Sequence, residues 1–233
     1  MGKNLTQQKR GKGSPTYTAN TFRNRGSAKH LKSEKGVVTD IINSRGNSAP
    51  LLVIKYQDHE ESLMIAPEGI KVGEKIFISQ TAQVKTGNSM PLQAIPEGVP
   101  IYNLETTPGD GGKLVRSSGA SAKIVSKSKT KVIVLLPSKK QKEFHPHCRA
   151  TIGVVAGSGR VDKPFMKAGT KFRAMKAKGK YWPSVSGASM NAVDHPLGGA
   201  RSSRKGRPTI APKNAPPGRK VGMIRPRHTG RNK

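Results

Sequence analysis

Cysteine occurs once, at Cys148, which excludes an intramolecular disulfide framework and any four-cysteine zinc site. Acidic side chains are scarce: 13 Asp and Glu stand against 43 Lys and Arg, a formal net charge of +30. Aromatic residues make up only 4%, too few for an extended base-stacking platform. No apolar run approaches the ~20 residues of a membrane-spanning helix, so no membrane partner is expected. The charged opening, Met1-Gly2-Lys3-Asn4, lacks the apolar segment of a secretory leader. Sustained helical periodicity is missing too, and with it the basic helix or helix-turn-helix that would enter a DNA major groove. These absences leave an intracellular chain with a polyanionic partner.

The charge that is present is unevenly placed. Residues 1–35 hold 9 basic side chains and 1 acidic, residues 36–110 hold 5 and 9, residues 111–166 hold 12 and 2, and residues 167–233 hold 17 and 1. Large apolar residues follow a different map, with 5 in residues 1–35, 41 in residues 36–166 and 12 in the remainder. Only the middle can close a core. The ends bury too little to offset about 1–2 kcal/mol of backbone entropy per residue, so they are expected to order only on a partner that neutralises them.

The middle reads as all-β. The runs at 37–42, 51–56, 62–65 and 75–78 are β-branched or apolar and are separated by Gly, Pro and Asn clusters. A second set follows Gly109-Asp110-Gly111-Gly112: strands at 122–126 and 131–136 around a Lys127–Thr130 turn, then 144–147 and 150–155. Two small barrel-like units are expected, with helices minor. Beyond Pro164 the pattern gives way to Lys, Arg, Gly and Pro, read as an extended tail.

Several motifs carry chemistry or its imitation. His145-Pro146-His147-Cys148 gathers three metal-ligand types, but on a strand residue 148 points away from 145 and 147, so a strand end is the better reading. Asp194-His195 is the one acid–base pair of the basic tail, preceded by Ser184, Ser186 and Ser189. Neighbouring side chains on an extended segment diverge, which favours a polar turn on a phosphate surface over a catalytic dyad. Gly112-Lys113 is followed by Leu114 rather than Ser or Thr, so the nucleotide-binding loop fails, although such glycines let a backbone approach a phosphodiester. Tyr181-Trp182 is either a packing anchor or a stacking pair. The spaced cations of the tail suit an extended strand between RNA helices, where shape and phosphate contacts dominate.

Ordered motifs across most of the chain carry a resemblance. They include Tyr102-Asn103-Leu104-Glu105, Pro108 through Lys113, Arg116-Ser117-Ser118-Gly119, His145 through Gly157, Lys176-Ala177-Lys178-Gly179, Trp182-Pro183, Met190 through Gly199, and Ala215 through Gly222. In these segments the chain resembles the universal large-subunit ribosomal protein two family, in its archaeal and eukaryotic form. Ser186 stands where that family commonly has arginine, so one phosphate contact is absent.

The resemblance implies an OB-like barrel at 36–108 and an SH3-like barrel at 109–166. A basic N-terminal extension (1–35) and an extended RNA-binding segment (167–233) flank them. It implies a structural constituent of the large ribosomal subunit in the cytoplasm, bound to large-subunit ribosomal RNA near the peptidyl-transferase region. Assembly, subunit association and translation are the processes it would support. The partners it implies are that RNA, neighbouring ribosomal proteins and the small subunit at the interface; no DNA, cofactor, metal or enzymatic activity is expected. The side chains expected to meet RNA are Arg10, Lys12, Arg23, Arg25, Arg45, Arg116, Arg149, Arg160, Lys163, Lys171, Lys176, Lys178, Trp182, His195, Arg201, Arg204, Arg207, Arg219, Lys220, Arg225 and Arg227. His195, in the Asp-His-Pro motif, is carried as an RNA contact and not as a catalyst.

Overall fold

The computed structural model describes residues 2–19, 21–22, 24–30, 35–56, 61–80, 82–199 and 210–223. The chain divides into two compact units, residues 21–166 and residues 1–20 together with 167–233. The first is all-β, with two antiparallel sheets. Strands β1 (Lys35–Ile42), β2 (Leu51–Tyr56), β3 (Glu61–Ile65) and β4 (Lys75–Phe77) form one, in the order β3-β2-β1-β4. The β-branched runs of β1 and β2 pair from Ile42↔Leu51 to Gly36↔Tyr56, with a slip between Val38 and Asp40. Val38, Leu52, Ile54, Met64, Ile76 and Ile78 close its apolar cluster. Each such side chain contributes about 1.5–3 kcal/mol on burial.

The second sheet runs β5-β10-β6-β7-β8-β9. Its strands are β5 (Ser89–Pro91), β6 (Pro100–Tyr102), β7 (Ala122–Lys127), β8 (Val132–Leu135), β9 (Gln141–Phe144) and β10 (Arg149–Ile152). The β7–β8 hairpin forms where the sequence places it, with the Ser128 N–H donating to the Lys131 carbonyl at 2.8 Å. The strand expected at 144–147 instead ends at Phe144. Pro146 has no N–H for a ladder, and the chain turns so that the Cys148 N–H donates to the His145 carbonyl at 3.0 Å. β9 forms one edge of the sheet and shows only Phe144 to the core, and its exposed Lys142 and Glu143 discourage pairing with another chain.

β5 and β6 lie within the stretch assigned by sequence to the first barrel, yet both hydrogen-bond into the second sheet. Met90, Leu92, Ile95, Ile101 and Leu104 accordingly pack with Ile124, Val132, Val134 and Ile152. A third cluster joins the sheets: Leu51 and Ile65 meet Tyr102 and Val155, and the Tyr102 hydroxyl donates to the Ile65 carbonyl at 3.0 Å.

His30 fastens the segment before β1 to this core. It is buried, its Nε2 lies 2.7 Å from the Asn103 carbonyl, and its N–H donates to the Gly111 carbonyl at 3.0 Å. Burial lowers its pKa most. The Asn103 carbonyl and Glu105 pull the other way, while Arg149 and Arg116 add to the fall, and the value drops from 6.5 to about 4. Because the unfolded chain binds the proton more readily, this contribution is present above pH ~6.5 and lost as pH falls toward 4. The expected loss is about 3 kcal/mol across that window. Urea midpoints followed by circular dichroism should show it, and His30→Gln should flatten the slope between those pH values. Equal slopes in the two proteins would exclude His30 as the source.

The other unit adds short local structure to the expected basic extensions, and helices remain minor as expected. Among its described residues are two helices, α1 (Thr6–Gly11) and α2 (Ala168–Ala177), and Gly187–Ser189 makes one 3-10 turn. α2 buries none of its residues, so it carries no apolar stripe to read, and its Ala, Lys, Arg and Met residues are good helix formers. The two chain ends also pack on each other rather than lying apart. The Lys3 N–H donates to the Val193 carbonyl at 2.8 Å, and the Tyr17 and Tyr181 rings lie 6.2 Å apart. Gly179, at φ +61°, rests so close to the Thr18–Ala19 backbone that a Cβ there would collide with it.

Candidate nucleic-acid interface

The unit made from the two chain ends contains 21 Lys and Arg and one carboxylate, Asp194. That carboxylate is engaged by Lys3, with Nζ 3.3 Å from Oδ1. No internal anion balances the rest, so the compact unit carries an excess that only an external polyanion can neutralise. Arg10 and Lys12 are exposed at the C-terminal end of α1. Lys171 and Lys176 project from α2, and Lys178 caps its end. Arg219 and Lys220 are exposed on a turn closed by the Arg219 N–H on the Pro216 carbonyl at 3.0 Å. Trp182 is half-buried with the Lys171 ammonium 5.4 Å from its ring centroid, a cation–π contact that holds both groups.

Arg10, Lys220, Tyr181, Ser184 and His195 line a cleft of about 300 Å³. The Leu197 N–H donates to His195 Nδ1 at 3.1 Å. Nδ1 is therefore the acceptor, and the neutral ring carries its proton on Nε2 as a donor. Partial burial lowers the His195 pKa from the ordinary histidine value, which favours that neutral form. The ring is backed by Gly187, where any Cβ would overlap it. Asp194 faces Lys3 instead of orienting the imidazole, so the adjacent acid and base do not form a dyad.

In the sheet unit the expected RNA contacts divide. Arg25, Arg45 and Lys163 are exposed. Arg160, although exposed, directs Nε to the Ser118 hydroxyl at 2.7 Å. Arg116 donates to the carbonyls of Gly112 at 2.9 Å and Ala28 at 2.7 Å. The Arg149 guanidinium meets Glu105 Oε1 through Nη2 at 2.9 Å and Nε at 3.1 Å, and the Arg149 N–H donates to Oε2 at 2.9 Å. Arg116 and Arg149 are thus structural cross-links as well as cations.

The glycine-rich loop is also committed internally. Gly109 and Gly111 donate their N–H groups to the fully buried Glu105, and Gly112 donates to Asp110. The backbone amides that would cradle a phosphate are filled by the chain's own carboxylates. Burial alone would raise the Glu105 pKa, yet Arg149 and the Gly109 amide hold it below the ordinary value. Asp110, against its own desolvation, is held well below the usual carboxylate range by Thr106, Gly112 and Thr107. Cys148 is buried in the apolar core, and the His145 and His147 rings lie with centroids 5.2 Å apart and planes tilted by 40°.

Arg23, Arg201, Arg204, Arg207, Arg225 and Arg227 lie outside the described residues. The Glu105–Arg149 pair and the Lys171–Trp182 contact escape sequence reasoning because neither forms a local motif.

The sequence profile of the family described as "Ribosomal Proteins L2, C-terminal domain" matches residues 85–218. The Methanocaldococcus jannaschii protein "Large ribosomal subunit protein uL2" is 50% identical to the chain over 239 residues, covering 99% of each. Its namesake in Methanothermobacter thermautotrophicus is 49% identical over 241 residues, covering 100% of each. A third, from Methanococcus aeolicus, is 47% identical over 239 residues, 99% of this chain and 100% of its own.

Proposed function

The chain belongs to the family of large ribosomal subunit protein uL2, and on that premise we propose that its chain-end unit anchors it in large-subunit ribosomal RNA near the peptidyl-transferase region. It is a structural constituent of the cytoplasmic ribosome, with ribosomal RNA and neighbouring ribosomal proteins as partners. In the finer reading, the two sheets belong to an OB-like and an SH3-like barrel that dock by shape. The chain ends then fix the RNA around them, supporting subunit assembly and contact with the small subunit at the interface. No catalytic step is assigned to the protein.

One observation carries this reading: a unit with 21 cationic side chains whose lone carboxylate is already paired with Lys3. Placing those cations along phosphates releases condensed counterions, the main favourable term for such a surface. His195 fits a positioning role, since a neutral imidazole with Nδ1 occupied offers Nε2–H as a single directed donor.

Competition between large-subunit RNA and unrelated RNA of equal length tests specificity, with a clear preference for the former expected. Equal competition would make the protein a general RNA chaperone instead. His195→Ala in reconstituted subunits should weaken RNA binding by about two- to tenfold, the value of one neutral hydrogen bond. Peptide synthesis per assembled subunit should stay unchanged. A slower rate in fully assembled subunits would overturn the non-catalytic assignment.

A further inference from the structure

Beside α2 the chain-end unit holds a second cleft, of about 390 Å³, lined by Thr16, Phe172, Lys176, Lys180, Tyr181 and Trp182. That volume lies within the ~300–1,000 Å³ typical of small-molecule sites. Its aromatic side chains are not used as core. Phe172 is 46% exposed and Tyr181 43%, and α2 buries no residue at all. They are nevertheless ordered: Tyr181 leans on Tyr17 with ring planes at 35°, and the Lys171 ammonium sits over Trp182. Rings already held in place cost little further ordering when a flat group enters.

The rim selects the ligand's charge. Lys176 and Lys180 are exposed, and among the described residues neither forms an ion pair with a carboxylate. A cleft lined by three aromatic side chains and edged by ammonium groups not paired with a carboxylate matches a base with its phosphates rather than an apolar or basic peptide. A base within a duplex has both faces covered by its neighbours, so the occupant must be unstacked.

Resting on the RNA-binding reading above, we infer that this cleft receives one unstacked nucleobase of single-stranded RNA, with the flanking phosphates on Lys176 and Lys180. Trp182 is the sole tryptophan of the chain and reports on the cleft directly. The full-length protein is titrated, at one roughly physiological salt concentration, with an adenine hexanucleotide and with an abasic hexanucleotide of equal charge. The base-bearing strand should quench Trp182 fluorescence and bind about 5- to 150-fold more tightly, the range for one stacked base.

Phe172→Leu, on an exposed helix face, should remove most of that difference and leave the abasic affinity unchanged. A double replacement, Lys176→Gln with Lys180→Gln, should weaken both strands alike. Equal affinities without quenching would overturn the base site while leaving RNA binding intact. Quenching by the abasic strand would also overturn it, and failure of both strands to bind would remove the RNA-binding reading together with the cleft.

Discussion

Raising monovalent salt from about 50 to about 200 mM is expected to weaken the complex with large-subunit RNA roughly 10⁴- to 10⁵-fold. The steepness follows from the composition of the chain-end unit, where 21 Lys and Arg face a single paired carboxylate. With ~8–10 phosphates neutralised on duplex-like RNA, log Kobs should fall against log salt with a slope of roughly −7 to −9. Fluorescence anisotropy over a series of salt concentrations gives that slope. Lys9, Arg10 and Lys12 are exposed on and beside α1, and each one changed to Gln should flatten the slope by about 0.9 if it meets a phosphate. Replacing Arg149, already bonded to Glu105, should alter the slope less than replacing an exposed Arg10. A slope shallower than about −3 would mean that shape, rather than charge, holds the complex.

Arg149→Met should destabilise the sheet unit by about 3–5 kcal/mol, the usual penalty for removing one partner of a buried ion pair. Glu105 is fully buried, and it would keep the Arg149, Gly109 and Gly111 amides but lose both guanidinium bonds. The deficit should depend on pH. In the parent protein Arg149 holds the Glu105 pKa below its ordinary value, so the stabilisation is present above the unfolded carboxylate pKa. It is lost as pH falls through the folded value. The variant keeps the amides' share of that depression but loses the guanidinium's, so the deficit shrinks and the two proteins should converge in acid. Urea melts followed by far-ultraviolet circular dichroism are the appropriate measurement, since Trp182 lies in the other unit. A deficit below about 1 kcal/mol at neutral pH would show that water replaces the guanidinium at little cost.

The sheets are legible in the sequence where burial and β-branching coincide. Val37-Val38, Leu51 to Ile54 and Val132 to Leu135 declare β1, β2 and β8. β5 and β6 are three residues long and each contains a proline, so they carry no measurable period, and their place in the second sheet is set by Met90 and Ile101 entering its core. α2 is invisible for the opposite reason: it buries nothing and shows no stripe. The cationic excess is plain from composition, but the sorting of its members is not. Arg149 and Glu105 are 44 positions apart, and His30 and Asn103 are 73 apart. Only folding turns an expected phosphate ligand into a structural brace.

The contact between the chain's two ends also has a temporal meaning. Residues 2–19 are synthesised before either sheet, whereas the Val193 carbonyl that takes the Lys3 amide is made some 190 positions later. Domains close as their last contributing segment is synthesised, so both sheets can mature before the polycationic unit exists. Until then the leading segment has no counterpart to fold upon. The surface with the strongest pull on nucleic acid is thus completed only after both sheets have been made.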